Sequence, residues 1–342
     1  MENENYDLPP ASVGGAQAGS EIPKKESPYA VPIALVIAGT MLSGVIFYSS
    51  QNYSIKTDVK NQKATIRNAP VSALEEAVLP SEGVILPVSW GDLGPWLVNA
   101  GVIDKEKFQA LYSGRGQWSD EYNDLLFGNN IGRLQITKDN AGYQQNLFWA
   151  LGLSSKNIIL GSGEMANPKY LGAENFASTG GWTMSKGDPM DHYNRHTFLI
   201  LTPEQQSLVD KVSRGVYRPC CNNSTHFPDC NHGMAMLGLL ELMASQGVSE
   251  QDMWKTALTV NSYWFPDAYV TIATYMKNKN IDWKDVNPQE ILGINYSSSS
   301  GYGRISSQVV LPNTIQGGSG CGIGAGIPVS SPASKQQSGC GI

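Results

Sequence analysis

Residues 202–233 read TPEQQSLVDKVSRGVYRPCCNNSTHFPDCNHG and combine a helix signature with a cluster of reactive side chains. Thr202 is a typical helix N-cap residue, Pro203 suits the first helical position, and Gln205 completes a capping box. Apolar residues then recur at helical spacing, at Leu208, Val209, Val212 and Val216. The stretch therefore predicts a helix that leads directly into Cys220 and Cys221.

Similar helix signatures occur on both sides of this stretch. Asp104, Asn140 and Ser249 each precede a run with helical spacing, and Gly247 and Pro266 mark helix boundaries. After the cysteines, one helix face is marked by Met236, Leu239, Leu240 and Met243. Strand patterns are few and short, chiefly at residues 83–88 and 197–201. The sequence predicts a mainly α fold with few short strands.

A long apolar segment near the N-terminus predicts a membrane anchor. Residues 29–48 read YAVPIALVIAGTMLSGVIFY, twenty residues without a charge, which is the length that spans a bilayer. No small-x-small cleavage site follows, so we expect a retained signal anchor rather than a removed signal peptide. The alternative, a buried core helix, is disfavoured because the flanking segments are polar and offer nothing to pack against.

The basic residues around this segment bear on its orientation. Lys24 and Lys25 lie immediately before it, whereas the basic residues after it are more distant, at Lys56, Lys60, Lys63 and Arg67. Proximity favours a cytoplasmic N-terminus, although a plain count of the flanking charges favours the opposite. We expect a single-pass protein of the cell membrane whose C-terminal domain lies outside the cytoplasm, with the lipid bilayer as a partner of residues 29–48.

The remaining chain divides by composition. Residues 1–28 are predicted to be a disordered tail, residues 49–82 a linker, residues 83–305 a helical Cys/His domain, and residues 306–342 a flexible Gly/Ser-rich tail. That last segment carries an SGCGI sequence twice, which places Cys321 and Cys340 in it.

Composition and motifs exclude several function classes. The net charge is −6, and no basic patch is interleaved with aromatic residues, which argues against a nucleic-acid partner. The chain has no P-loop or dinucleotide signature and no haem motif, and it has neither a nucleophile elbow nor an H-E-x-x-H helix. Whether the protein is an enzyme stays open.

Soft-metal binding is the first hypothesis for the cysteine cluster. Thiolate and imidazole both bind zinc and copper, and Cys220, Cys221, Cys230 and His232 would in principle fill a tetrahedral site. Because the side chains of adjacent residues diverge, one cysteine of the pair together with Cys230 and His232 is the easier set. We expect zinc if the site is structural, and copper if thioethers such as Met234 and the tail thiols take part in metal transfer.

Three further histidines are candidates for a fourth ligand. His226 lies within the cluster, and His192 and His196 are four residues apart, so that on a helix both would face the same side and chelate one ion. The alternative for all three is an ordinary hydrogen-bonding role. Met236 and Met243 lie on the apolar helix face and are predicted to be core residues instead.

Thiol chemistry is the second hypothesis. Asp229 and Asn231 are good N-cap residues, so Cys230 should lie near the first turn of the following helix, where a thiolate is stabilised. Cys230 would then be the candidate nucleophile, and Cys321 or Cys340 would resolve it; the partner would be a metal donor under the first hypothesis and a redox partner under this one. A third reading is a disulfide-stapled structural surface domain, with a bond such as Cys221 to Cys230 tethering the loop.

The same residues resemble a known family. Pro219-Cys220-Cys221, followed by Cys230-Asn231-His232-Gly233 and then Gly247-Val248-Ser249-Glu250, is similar to the Cys-rich segment of the PCYCGC-motif bacterial lipoproteins. The chain departs from that pattern because its paired cysteines are adjacent, it has no lipobox, and Met234 and Met236 stand in the helix where later family cysteines would be expected. The resemblance implies an extracytoplasmic protein with a metal or redox role.

Overall fold

The computed structural model describes residues 72–128 and 130–309. Within these residues we find no helix that is both long enough and apolar enough to cross a bilayer. The predicted anchor at residues 29–48, the predicted N-terminal tail at residues 1–28, and both tail cysteines, Cys321 and Cys340, lie outside the described residues, so these expectations stay predictions.

The described chain is mainly helical, as the sequence predicts, with one small antiparallel sheet. The helices, in chain order, are α1 (Ala73–Val78), α2 (Leu93–Asn99), α3 (Lys105–Ser113), α4 (Asp120–Phe127), α5 (Ala141–Ser154), α6 (Ile158–Ser162), α7 (Pro203–Gly215), α8 (Asn231–Ser245), α9 (Glu250–Trp264), α10 (Pro266–Asn278), α11 (Pro288–Leu292), α12 (Ile294–Ser297) and α13 (Ser299–Ser306). The strands are β1 (Val84–Gly91) and β2 (Asn130–Ile136), which pair with each other.

Local capping chemistry explains where several helices begin. At α7 the Thr202 side chain accepts a hydrogen bond from the backbone N–H of Gln205, whose own side chain accepts one from the backbone N–H of Thr202, as the capping box predicts. Asp104 and Ser249 cap α3 and α9 in the same way, with their side chains accepting from backbone N–H groups of the first turn. Pro266 ends α9 and opens α10.

Two helices form the centre of the fold. Helix α8 is buried along almost its whole length and packs along α5, which is also almost entirely buried. A helix that is apolar on all sides belongs in a core and not on a surface. The sequence analysis identified one apolar face of α8, whereas the structure buries every face, because α5, α7, α9 and β1 all contact it. The N-terminal end of this central helix is where the cysteine cluster lies.

Three features differ from the sequence-based expectations. The strand predicted at residues 197–201 does not form; the chain there is irregular and the Ile200 side chain is 81% exposed, so no partner strand is present. Strand β2 was not predicted, because its pairing with β1 is a long-range contact. Helix α1 lies within the predicted linker at residues 49–82, and Val78 and Leu79 are buried against the core.

Candidate metal and thiol site

The site is built on the loop between α7 and α8. The loop is closed by backbone hydrogen bonds from Thr225 N–H to the Val216 carbonyl (2.8 Å) and from His226 N–H to the Ser213 carbonyl (3.1 Å). Cys230 is the N-cap of α8 and has an extended backbone, so its side chain lies beside the first turn of that helix. The sequence prediction that Cys230 lies at this first turn is confirmed.

A buried arginine holds the loop from within. The Arg218 side chain is 1% exposed and donates to four groups: from Nε to Cys230 Sγ (3.0 Å), from Nη1 to the Asn223 carbonyl (3.0 Å), and from Nη2 to the Phe227 carbonyl (3.2 Å) and to Asp229 Oδ1 (2.6 Å). The other Asp229 oxygen accepts from Asn223 Nδ2 at 2.7 Å. The buried charge is therefore both paired and hydrogen-bonded, which is what makes its burial tolerable.

Space for this guanidinium comes from a glycine in α8. A Cβ added at Gly233 would lie 2.5 Å from Arg218 Cζ, closer than any side-chain carbon can approach. Gly233 belongs to the Cys-rich motif recognised in the sequence, whereas no role was predicted for Arg218. The signal that was available is the pairing of a basic residue before Pro219 with an acidic residue before Cys230.

Three ligand atoms converge at this end of α8. Cys220 Sγ lies 3.7 Å from Cys230 Sγ and 4.0 Å from His232 Nδ1, and the three atoms all lie within 4.8 Å of one another. Cys230 and His232 are buried, at 0% and 1% exposure, whereas Cys220 is half-buried. The structure thus brings together one cysteine of the adjacent pair with Cys230 and His232.

These separations match those around a tetrahedral ion. Zinc bonds of about 2.3 Å to sulfur and about 2.0–2.1 Å to nitrogen place two sulfur ligands about 3.8 Å apart and sulfur and nitrogen ligands about 3.6 Å apart. The observed 3.7 and 4.0 Å require only small adjustments. A second set, Cys221, Asp229 and Cys230, overlaps the first at Cys230. Since Asp229 is engaged by Arg218, Cys221 is the member of this second set that is left as a candidate for a fourth ligand.

The pKa of one thiol in the cluster is lowered, and the pKa values of the other two are raised. Burial opposes ionisation of Cys230, but hydrogen bonds from the Cys220 and Cys221 thiols and the charge of Arg218 outweigh it and hold its pKa well below the usual range. Hydrogen bonds with Cys221 and Cys230, together with burial, raise the pKa of Cys220 well above that range. The hydrogen bond with Cys220 lowers the pKa of Cys221, but the one with Cys230 and burial raise it to about 12. Among the three thiols, Cys230 is therefore the one whose surroundings favour the thiolate.

Aromatic packing fixes the histidine ring. His232 lies over Phe265, with ring centroids 4.3 Å apart, and its ring is 6.2 Å from that of Trp264. Its backbone N–H donates to Asn231 Oδ1 at 2.9 Å.

Met234, Met236 and Met243 are all buried in the core. The core role predicted for Met236 and Met243 is thus seen, and Met234 shares it.

The three other candidate histidines are placed elsewhere. His226 Nε2 lies 2.9 Å from Asp210 Oδ1, and His192 Nδ1 lies 3.1 Å from His196 Nε2. Among the described residues, none of the three belongs to a close ligand set with the cysteines. His192 and His196 follow a 3-10 turn, Pro189–Asp191, instead of lying on an α-helix. Their nitrogens face each other with ring centroids 5.4 Å apart, which is the arrangement of a direct hydrogen bond.

The cysteines and the comparisons complete the description of the site. Cys220, Cys221 and Cys230 are all free in this structure, which does not contain the disulfide considered between Cys221 and Cys230. Comparison of the chain with protein-family models, with curated proteins and with solved structures gave no match. The distinctive features of the site are therefore the convergence of Cys220, Cys230 and His232 and the positive charge that Arg218 places beside them.

Proposed function

We propose that this chain is a membrane-anchored extracytoplasmic protein that binds one soft transition-metal ion through Cys220, Cys230 and His232. The observation that carries the proposal is the convergence of two sulfur atoms and one imidazole nitrogen at separations of 3.7 and 4.0 Å. Cys221 supplies the fourth ligand, or that position is left to a water molecule or a partner's ligand. The predicted anchor at residues 29–48 supports the location.

Charge balance favours zinc over copper(I) at this site. Arg218 and Asp229 form a pair with no net charge, and His232 as a ligand is neutral, so the two thiolates of Cys220 and Cys230 leave a net charge of about −2 in a buried region. A buried uncompensated charge is costly. A divalent ion neutralises the set completely, whereas a monovalent copper ion leaves one negative charge. Copper remains the alternative ion.

We expect the Cys230→Ser variant to lose metal binding. By elemental analysis, full-length protein purified with zinc present should contain about one more ion per chain than Cys230→Ser, because the Cys230 thiolate is shared by both cysteine ligand sets. Cys321→Ser is the matched control, since it removes a thiol outside the site. Circular dichroism checks that the variant is folded, and Cys220→Ser, at a half-buried position, repeats the test. Full metal content in both site variants would refute the proposal.

Zinc affinity should rise with pH by about tenfold per unit above neutrality. Since the pKa of Cys230 is lowered and that of Cys220 is raised, binding through Cys220, Cys230 and His232 alone releases one thiol proton, from Cys220. Competition with a chelator of known affinity at several pH values measures the slope. A slope of two protons would mean that a second thiol, Cys221 or Cys230, also loses its proton on binding, and a flat profile would exclude Cys220 as a ligand.

Thiol-disulfide exchange is the second candidate function, and one observation favours it: the Cys230 thiolate lies 3.7 Å from the Cys220 sulfur. Oxidation of this pair by a partner's disulfide would form the Cys220–Cys230 bond and break the partner's S–S bond; two electrons pass to the partner, whose two sulfurs take up the Cys220 proton and one proton from solvent. However, the Cys230 sulfur is fully buried, and the thiol of the half-buried Cys220 has a raised pKa. The thiol with the low pKa is thus buried, and the less buried thiol has a high pKa, so neither is well suited to attack a partner's disulfide. The arrangement favours metal binding.

Trapping distinguishes the two candidates. In variants that keep only one of the two tail cysteines, a trapped disulfide between Cys230 and the remaining one, Cys321 or Cys340, would support exchange. The sequence-based hypothesis requires such a species. We expect no such species under native conditions, because Cys230 is not accessible in the described fold. Its appearance in good yield would shift the proposal to redox chemistry.

A further inference from the structure

A second polar site lies apart from the cysteine cluster, in an open groove of about 700 Å³ between α7 and the segment that ends α6. His226, Asp210, Arg214 and Glu164 line this groove together with apolar residues such as Ile158. No part of the metal proposal above uses these residues.

His226 is held at one ring nitrogen and unpartnered at the other. Its side chain is 8% exposed, and Nε2 lies 2.9 Å from Asp210 Oδ1. Arg214 donates to both oxygens of Asp210, at 2.9 Å each, and this pairing is the main reason why the pKa of Asp210 is lowered. An ionised carboxylate only accepts, so Nε2 carries the hydrogen and Nδ1 presents a lone pair. Nδ1 is buried and has no hydrogen-bond partner among the described residues.

That lone pair faces a second acceptor. Glu164 Oε1 lies 3.7 Å from His226 Nδ1. A charge-assisted hydrogen bond between them would be about 2.7–2.9 Å long, so the gap is too wide for one shared proton. An ion bonded to each atom at about 2.0–2.2 Å fits a separation of this size. The carboxylate behind the ring repeats the carboxylate–histidine–metal arrangement, in which the carboxylate sets the tautomer and orientation of the ligand.

We infer that His226 Nδ1 and Glu164 Oε1 bind a divalent transition-metal ion that prefers imidazole and carboxylate ligands, such as zinc, cobalt or nickel. Asp210 positions His226, and Arg214 positions Asp210. Two protein ligands leave the other coordination positions open to the groove, where water or an exchangeable small ligand binds. The cysteine cluster encloses its ion at the buried end of α8, whereas Glu164 is 58% exposed and this second ion is open to solvent.

Cobalt(II) titration of the full-length protein tests the inference. Cobalt bound by thiolates shows a sulfur-to-metal charge-transfer band, and cobalt bound by nitrogen and oxygen does not. We expect a second equivalent of cobalt to bind without adding to the sulfur-to-metal charge-transfer band. Glu164→Gln, an isosteric change at an exposed position, should weaken that equivalent at least tenfold, and His226→Gln should abolish it. Glu204→Gln removes an exposed carboxylate at the start of α7 and should change nothing.

The two metal proposals are separated by the same titration. Loss of the charge-transfer equivalent in Cys230→Ser, with the second equivalent unchanged, would confirm that the sites are independent. Absence of the thiolate-bound equivalent would refute the cysteine proposal alone. The groove site is refuted if the wild-type protein binds no ion outside the thiolates, or if Glu164→Gln binds the second equivalent as tightly as the wild type does.

Discussion

Arg218→Met is expected to lower the free energy of unfolding by about 3–5 kcal/mol, because it leaves Asp229 buried without its partner. The same substitution removes the hydrogen bonds that hold the Asn223 and Phe227 carbonyls, and it removes the positive charge beside Cys230. Urea unfolding of the full-length protein in the presence of a chelator measures the effect without a contribution from bound metal.

Arg214→Met is the matched control for this substitution. Arg214 also pairs with an aspartate, Asp210 at i−4, but the two side chains are 56% and 41% exposed. An exposed pair of this kind contributes about 0.3–0.5 kcal/mol. Equal and small effects of the two substitutions would show that Arg218 does not hold the loop. A variant that combines Arg218→Met with Asp229→Leu should recover part of the loss, because it removes both charges.

The closeness of the candidate ligands was predictable because they lie in one short stretch of the chain, from the loop to the first turn of α8. Cys220, Cys230 and His232 are close in sequence, so their chemistry suggests a common site before any fold is known. Arg218 was missed because a single arginine in a sequence is ordinarily a solvent-exposed residue. The contact of His226 with Asp210 could not be predicted from spacing, because the path of the chain after α7 brings the two residues together. The spacing of His192 and His196 did indicate that they meet, although they do so after a 3-10 turn and not on an α-helix.

The helices were predictable for a related reason. A capping box such as that at Thr202 acts within a few residues, so its consequence is visible in the sequence. Strand β2 depends on a partner about forty to fifty residues away, at β1, and residues 197–201 pair with no strand in the described part of the chain. The burial of every face of α8 likewise depends on which helices contact it, and no pattern within its own residues sets that arrangement.

Gly152→Ala and Gly142→Ala are expected to have opposite effects, although both lie in α5. A Cβ at Gly152 would meet the Met234 carbonyl oxygen and lie 2.8 Å from the Gly238 nitrogen, whereas a Cβ at Gly142 would meet nothing within 4 Å. The first contact is with the backbone of α8, which cannot rotate away, so we expect a loss of about 3 kcal/mol. Gly142→Ala should gain about 0.5–1 kcal/mol through helix propensity alone.

Thermal and urea unfolding of the two variants measure this difference directly. A small effect of Gly152→Ala would mean that α5 and α8 can separate by an ångström without loss, and the close crossing of the two helices would then not be required for stability. A large effect would also be expected to reach the metal site. Met234 and Gly238 lie on the helix whose first turn carries Cys230 and His232, so a displaced α8 would move both ligands relative to Cys220 on the preceding loop. Zinc content of the folded Gly152→Ala protein should therefore fall below that of Gly142→Ala, which leaves the helix in place.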